Sequence, residues 1–117
     1  MTLRERVGDQ ALPLDGAAEV SPEVIKRVKS YGYILVSAAI VNDLNARIEL
    51  GVQRYGKKLE THNGRNAKQD LMDELLDSLH YSMQDYMESG DFRAKARFDK
   101  ILELVFSLKS QMLGLKY

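Results

Sequence analysis

Between Tyr33 and Tyr55 apolar side chains return at helical spacing. Ile40, Leu44, Ile48 and Tyr55 are separated by four or seven residues, with Ile34, Val41 and Val52 beside them. Such spacing predicts one amphipathic helix with one apolar stripe. Asn42, Asn45, Glu49 and Gln53 occupy another side of it. A second stretch repeats the pattern with Leu71, Met72, Leu75, Leu76, Leu79, Met83 and Tyr86. A third carries Phe98, Ile101, Val105, Leu108 and Met112, widened by Leu102, Phe106 and Leu113. That last surface is wider than a two-helix contact needs, so it predicts a bundle with subunit contacts. No stretch alternates with the period of a strand, and no internal repeat stands out.

The punctuation agrees with these helices. Ser21-Pro22-Glu23 predicts a helix start: a serine cap, a proline at the first position and an early acid. Gly32, between Tyr31 and Tyr33, marks a kink, a break or a close contact in the helix that follows, because glycine costs about 1 kcal/mol in a helix interior. Tyr55-Gly56 ends the next helix and opens a loop that runs to Gly64. Asn66 caps the helix after it, with Gln69 as a capping-box partner, and that helix runs to about Glu88. Ser89-Gly90-Asp91 is a turn, Asp91 caps a helix from Phe92 to Leu113, and Gly114 ends it. Residues 1–20 show no sustained period and read as a flexible N-terminal arm. The expected fold is all-α: a single helical domain over 21–117, a bundle of about four helices, oligomeric.

Composition narrows the function. Lysine plus arginine equals aspartate plus glutamate, 17 against 17, which argues against a grip on duplex nucleic acid. There is no cysteine, hence no disulfide, zinc–thiolate site or cysteine nucleophile. The apolar run Tyr33–Val41 is too short to span a bilayer, so no membrane role is expected. No signal-peptide pattern opens the chain, and a cytoplasmic protein is expected.

The chemistry concentrates on the helix after Asn66. Asp70, Asp73, Glu74 and Asp77 fall within eight positions. At about 100° per residue, with Asp70 at the origin, Glu74 lies near ~40°, Asp77 near ~340° and Asp73 near ~300°. The apolar face centres near ~180° on the same wheel. By periodicity alone the acids read as a solvated face. Their clustering favours a second reading. Like charges one turn apart destabilise a helix mildly, and a hard divalent cation would relieve them while drawing on several oxygen donors. Glu49, off the apolar stripe of its own helix, could add a carboxylate from across a crevice. Magnesium, with few carboxylates, water and substrate phosphates, suits such a site; that points to a nucleotide.

Ordered landmarks carry a resemblance. Arg47-Ile48-Glu49-Leu50-Gly51, Arg54-Tyr55-Gly56, Gly64-Arg65-Asn66-Ala67, Asp70, Glu74-Leu75-Leu76-Asp77 and Tyr81 succeed one another. Over about residues 40–88 this series resembles the short, phage-type members of the MazG-like all-α nucleoside-triphosphate pyrophosphohydrolases. The resemblance implies hydrolysis between the α and β phosphates, giving monophosphate and pyrophosphate. It implies magnesium, with manganese as a substitute, on Glu74 and Asp77 of an E-x-x-D element. Glu49 would stand in the first acidic helix, and Asp70 would be a further ligand or would orient one. Glu49, Glu74 and Asp77 are thus the candidate catalytic residues; with Asp70 they are the candidate metal ligands.

One departure is plain. The family's first element is usually E-x-x-E, whereas Glu49 here has Asn45 and Ala46 before it and Val52 and Gln53 after it. The second acid is missing, which keeps open a nucleotide-binding or nucleotide-sequestering protein without hydrolysis. A structural bundle with a wet acidic face is the third reading. Around the acids, Arg65, Lys68 and Lys57/Lys58 could meet phosphates near a helix N-terminus, or form a solvated basic loop. Tyr81, near ~20° on the wheel, shares the acid sector and is a candidate for a base or phosphate contact. Tyr55 falls on the apolar stripe and reads as core. Met83 and Met87 read as core filler.

Overall fold

The computed structural model of the chain describes residues 18–115. Its four helices are α1 (Ser21–Tyr31), α2 (Ile34–Tyr55), α3 (Ala67–Ser89) and α4 (Phe92–Met112). Among the described residues there is no strand, so the expected all-α class holds. No helix of the described residues is long and apolar enough to cross a membrane. The chain divides near Arg65 into two compact units, each built on a helix pair.

The first unit pairs α1 with α2. The helix α1 starts at Ser21 with proline in its first turn, as the sequence predicts, but the cap differs. Val20 occupies the N-cap position in the αR region and no side chain accepts a first-turn amide. Gly32 then breaks the chain at φ −159°, an extended conformation, and α2 sets off one residue later. At the far end Gly56 takes φ 79° and returns its N–H to Val52 O at 2.8 Å. The left-handed conformation there explains why the helix stops at a glycine.

Residues 18–20 depart from the expected arm. Val20 N donates to Leu59 O at 3.0 Å, and Thr61 N donates to Ala18 O at 2.8 Å. Ala18 N also donates to Thr61 Oγ1 at 2.9 Å. Three residues with no periodic pattern are therefore fixed by backbone pairing to the loop after α2, a long-range partner invisible to local reading. The rest of the expected arm, residues 1–17, lies outside the described residues.

The second unit is the α3–α4 hairpin. Asn66 caps α3 by accepting from Gln69 N at 3.2 Å. Only half of the predicted capping box forms, because the Gln69 side chain turns the other way and donates to Asp73 Oδ1 at 2.9 Å. Gly90 closes α3 at φ 66°, and Asp91 caps α4 by accepting from Arg93 N at 2.9 Å. Met72 is 2% exposed and Ala94 is fully buried; both lie in this hairpin. Phe98, Ile101, Val105, Leu108 and Met112 are half-buried, whereas the widening residues Phe106 and Leu113 are exposed. Leu102, the third widening residue, is half-buried with the stripe. Met87, read as core filler, is instead 77% exposed near the end of α3.

Candidate functional site

Helix α3 carries most of the candidate chemistry. Asn66 starts it, so Lys68, Asp70, Glu74, Asp77 and Tyr81 project from its first four turns. Glu74, Asp77, Lys68 and Tyr81 are exposed, and Asp70 is half-buried. Glu74 and Asp77 sit three residues apart, which places their Cβ atoms about 5–6 Å from each other on one sector. The nearby serines do not occupy these carboxylates. Ser78 Oγ donates back to Glu74 O at 2.8 Å, and Ser82 Oγ donates to Ser78 O at 2.7 Å. Back-bonding of this kind keeps both hydroxyls on the helix backbone.

The fourth acid behaves differently. Asp73 is 8% exposed and accepts from Gln69 Nε2 at 2.9 Å. The wheel puts it with the wet acids, but its side of α3 is covered at that level. A buried carboxylate is held by hydrogen bonds, and Asp73 is a structural acid. The acidic stripe therefore reduces to Asp70, Glu74 and Asp77.

Glu49 is exposed on α2 and belongs to the first unit, whereas the three acids of α3 belong to the second. Among the described residues, no side chain pairs with the carboxylates of Glu49, Glu74 or Asp77. Nor does any group of three or more His, Cys, Asp or Glu gather there closely enough to hold a metal ion. The donors of α3 still fit magnesium in kind and number. Magnesium takes oxygen ligands and is commonly bound by one or two carboxylates, with water and substrate phosphates completing its shell. Glu74 and Asp77 meet the protein's share of that set.

The basic residues lie just before the acids. Lys68 is exposed in the first turn of α3, and Arg65 is half-buried in the loop ahead of it. That loop is more organised than its sequence suggests. Asn63 is 7% exposed, and its Oδ1 accepts from Arg65 N at 3.0 Å. His62 and Gly64 on either side both have positive φ, 53° and 79°. Asn63 is a positioning residue for Arg65 that sequence reading passed over. The Asn-Gly dipeptide signals a turn, but nothing local reveals that the asparagine is buried. Lys58 is drawn away to Glu19, 3.8 Å from its carboxylate, and so faces residues 18–20. Tyr55 is half-buried, which agrees with a packing role.

One carboxyl at the α3–α4 turn is shifted by its neighbours. The Arg93 guanidinium hydrogen-bonds the Asp91 side chain and its backbone N–H adds another, so the Asp91 carboxyl sits below the usual carboxylate range. That pairing secures a turn and is part of no candidate site. Compared with protein-family models, curated proteins and solved structures, the chain finds no match.

Proposed function

We propose that the chain is a magnesium-dependent nucleotide pyrophosphohydrolase. It cleaves a ribo- or deoxyribonucleoside triphosphate to the monophosphate and pyrophosphate, as a homodimer or homotetramer in the cytoplasm. The observation that supports it best is the Glu74–Asp77 pair: exposed, one turn apart, and without a protein partner among the described residues. Like charges so placed destabilise the helix mildly, a cost that a bound cation would relieve. The MazG-like order of landmarks gives that use a chemistry.

In this reading Glu74 and Asp77 hold the cation against the phosphate chain, and Asp70 orients one of them. Magnesium supplies charge neutralisation on the phosphates and polarisation of the phosphorus centre. Lys68 and Arg65 take the outer phosphates, aided by the positive end of α3. Tyr81, 69% exposed on the acid side, stacks on or borders the nucleotide. By the resemblance Glu49 would stand in the family's first acidic helix, as a further carboxylate for the metal.

The test is pyrophosphate release from a panel of ribo- and deoxyribonucleoside triphosphates with magnesium. At least one should turn over, and Glu74→Gln should lower kcat/KM by about 100-fold or more. A panel that stays intact, with Glu74→Gln indistinguishable from wild type, would sink the enzyme reading. The neutral Asn45 and Gln53 flanking Glu49 favour a second reading, in which the protein binds and sequesters nucleotide. Calorimetry with intact ligand recovered afterwards would support it; recovery of monophosphate would exclude it.

A further inference from the structure

We infer that the apolar ridge at the α1–α2 elbow is an interface between two copies of this chain. The inference rests on the self-association proposed above and is independent of the nucleotide chemistry.

The ridge inverts the usual order of burial. From Tyr33 to Val41 the only polar side chain is Ser37, and Ser37 is the buried one at 8%. Around it Tyr31 is 92% exposed, Tyr33 and Ile34 84%, Leu35 85%, Val36 54% and Ile40 41%. Ile34, Leu35 and Val36 are consecutive, so they point to three different sides of the first turn of α2. A helix apolar all round is one that is covered all round. Tyr31, Tyr33, Val36 and Ile40, with Arg27 on the α1 side, line a cleft of about 730 Å³ at this elbow. A Cβ on Gly32 would meet nothing within 4 Å, so the break is uncrowded by its own unit.

Area and charge name the occupant. The six exposed side chains present roughly 800 Å² around the first turn of α2, so a partner that wraps this turn would bury about what one side of a standard stable interface contributes. No charged side chain lies between Lys29 and Asp43. Of the residues that line the cleft only Arg27 is charged, so a second neutral ridge meets no like charge on the Tyr33–Val41 side. That is the requirement of an isologous contact. Tyr31 and Tyr33 supply the aromatic anchors that such contacts concentrate at their centres.

The test is sedimentation velocity on the full chain across a hundredfold range of concentration, beginning near about 1 μM. Wild type should sediment as two or more copies of the 13.3 kDa chain. Leu35→Lys should sediment as one copy with its helical circular dichroism retained. A monomeric wild type overturns both the self-association and this interface. An oligomer unchanged in Leu35→Lys overturns the interface alone and leaves the self-association standing. If Leu35→Lys loses its helicity, Leu35→Cys decides, since the chain has no other thiol. Alkylation of that thiol should slow at least tenfold as protein concentration rises. A rate that does not change with concentration contradicts the interface and assigns any cover to the same chain. None of these readouts depends on turnover, so failure of the enzyme reading leaves them intact.

Discussion

The two units of this chain solve the same problem in opposite ways. The α3–α4 hairpin is closed locally: Asn66 and Asp91 cap its helices, Gly90 turns the chain, and Met72 and Ala94 are buried. The α1–α2 pair has no side-chain cap on either helix, and its only buried helical residue is a serine. Yet the α1–α2 pair holds the longest uncharged stretch of the sequence. One unit carries its own packing. The other displays the apolar surface that another chain would bury, which is how a small helical domain divides its stability between folding and association.

The largest effect expected is at Met72. Replacing it with alanine should cost about 2–5 kcal/mol in urea titration, because the side chain is almost wholly enclosed. The loss should be the same at every protein concentration. By contrast, Leu35→Lys should remove the concentration dependence of the thermal midpoint. If both substitutions behave alike, the contrast between the units is wrong.

A gain is expected at Gly51, in the C-terminal part of α2. A Cβ there meets nothing within 4 Å, and alanine favours the helix over glycine by up to about 1 kcal/mol. Gly51→Ala should raise the thermal midpoint by a few degrees, about the shift that such an energy gives a domain of this size. A loss would mean that something approaches α2 closely at that point.

The smallest effect concerns the α3–α4 turn. The hydrogen bonds from Arg93 lower the pKa of Asp91, so the folded state holds the carboxylate more firmly than the unfolded state does. Their contribution is full above the ordinary aspartate range and is lost as pH falls through the lowered folded value. Asp91→Asn keeps a capping oxygen but loses the charge. Thermal melts should therefore show a small deficit for the variant at neutral pH that shrinks as the pH falls below the ordinary aspartate range. A deficit that does not change with pH would assign the effect to geometry rather than charge.

Local chemistry made the helices readable. Gly32, Gly56, Gly90 and Asp91 each act within a few residues, and the structure uses them where the sequence places them. What could not be read was set at long range. Residues 18–20 look like an arm until they pair with residues 59–61. Asp73 looks like its acidic neighbours until Gln69, the expected capping partner, turns to it instead. Asn63 looks like a turn residue until its burial shows that it holds the loop before α3. Of the candidate site, the exposed sector of α3 was legible because helical periodicity alone defines it. The surroundings of Glu49 were not, because they depend on residues far away in the chain.

The most direct measurement is phosphorus NMR of a nucleoside triphosphate that binds the protein, followed with magnesium in excess. The account predicts that the three triphosphate signals give way to those of a monophosphate and pyrophosphate with wild type, and persist with Glu74→Gln. Triphosphate signals that persist with wild type, or that give way to diphosphate and inorganic phosphate, would contradict it.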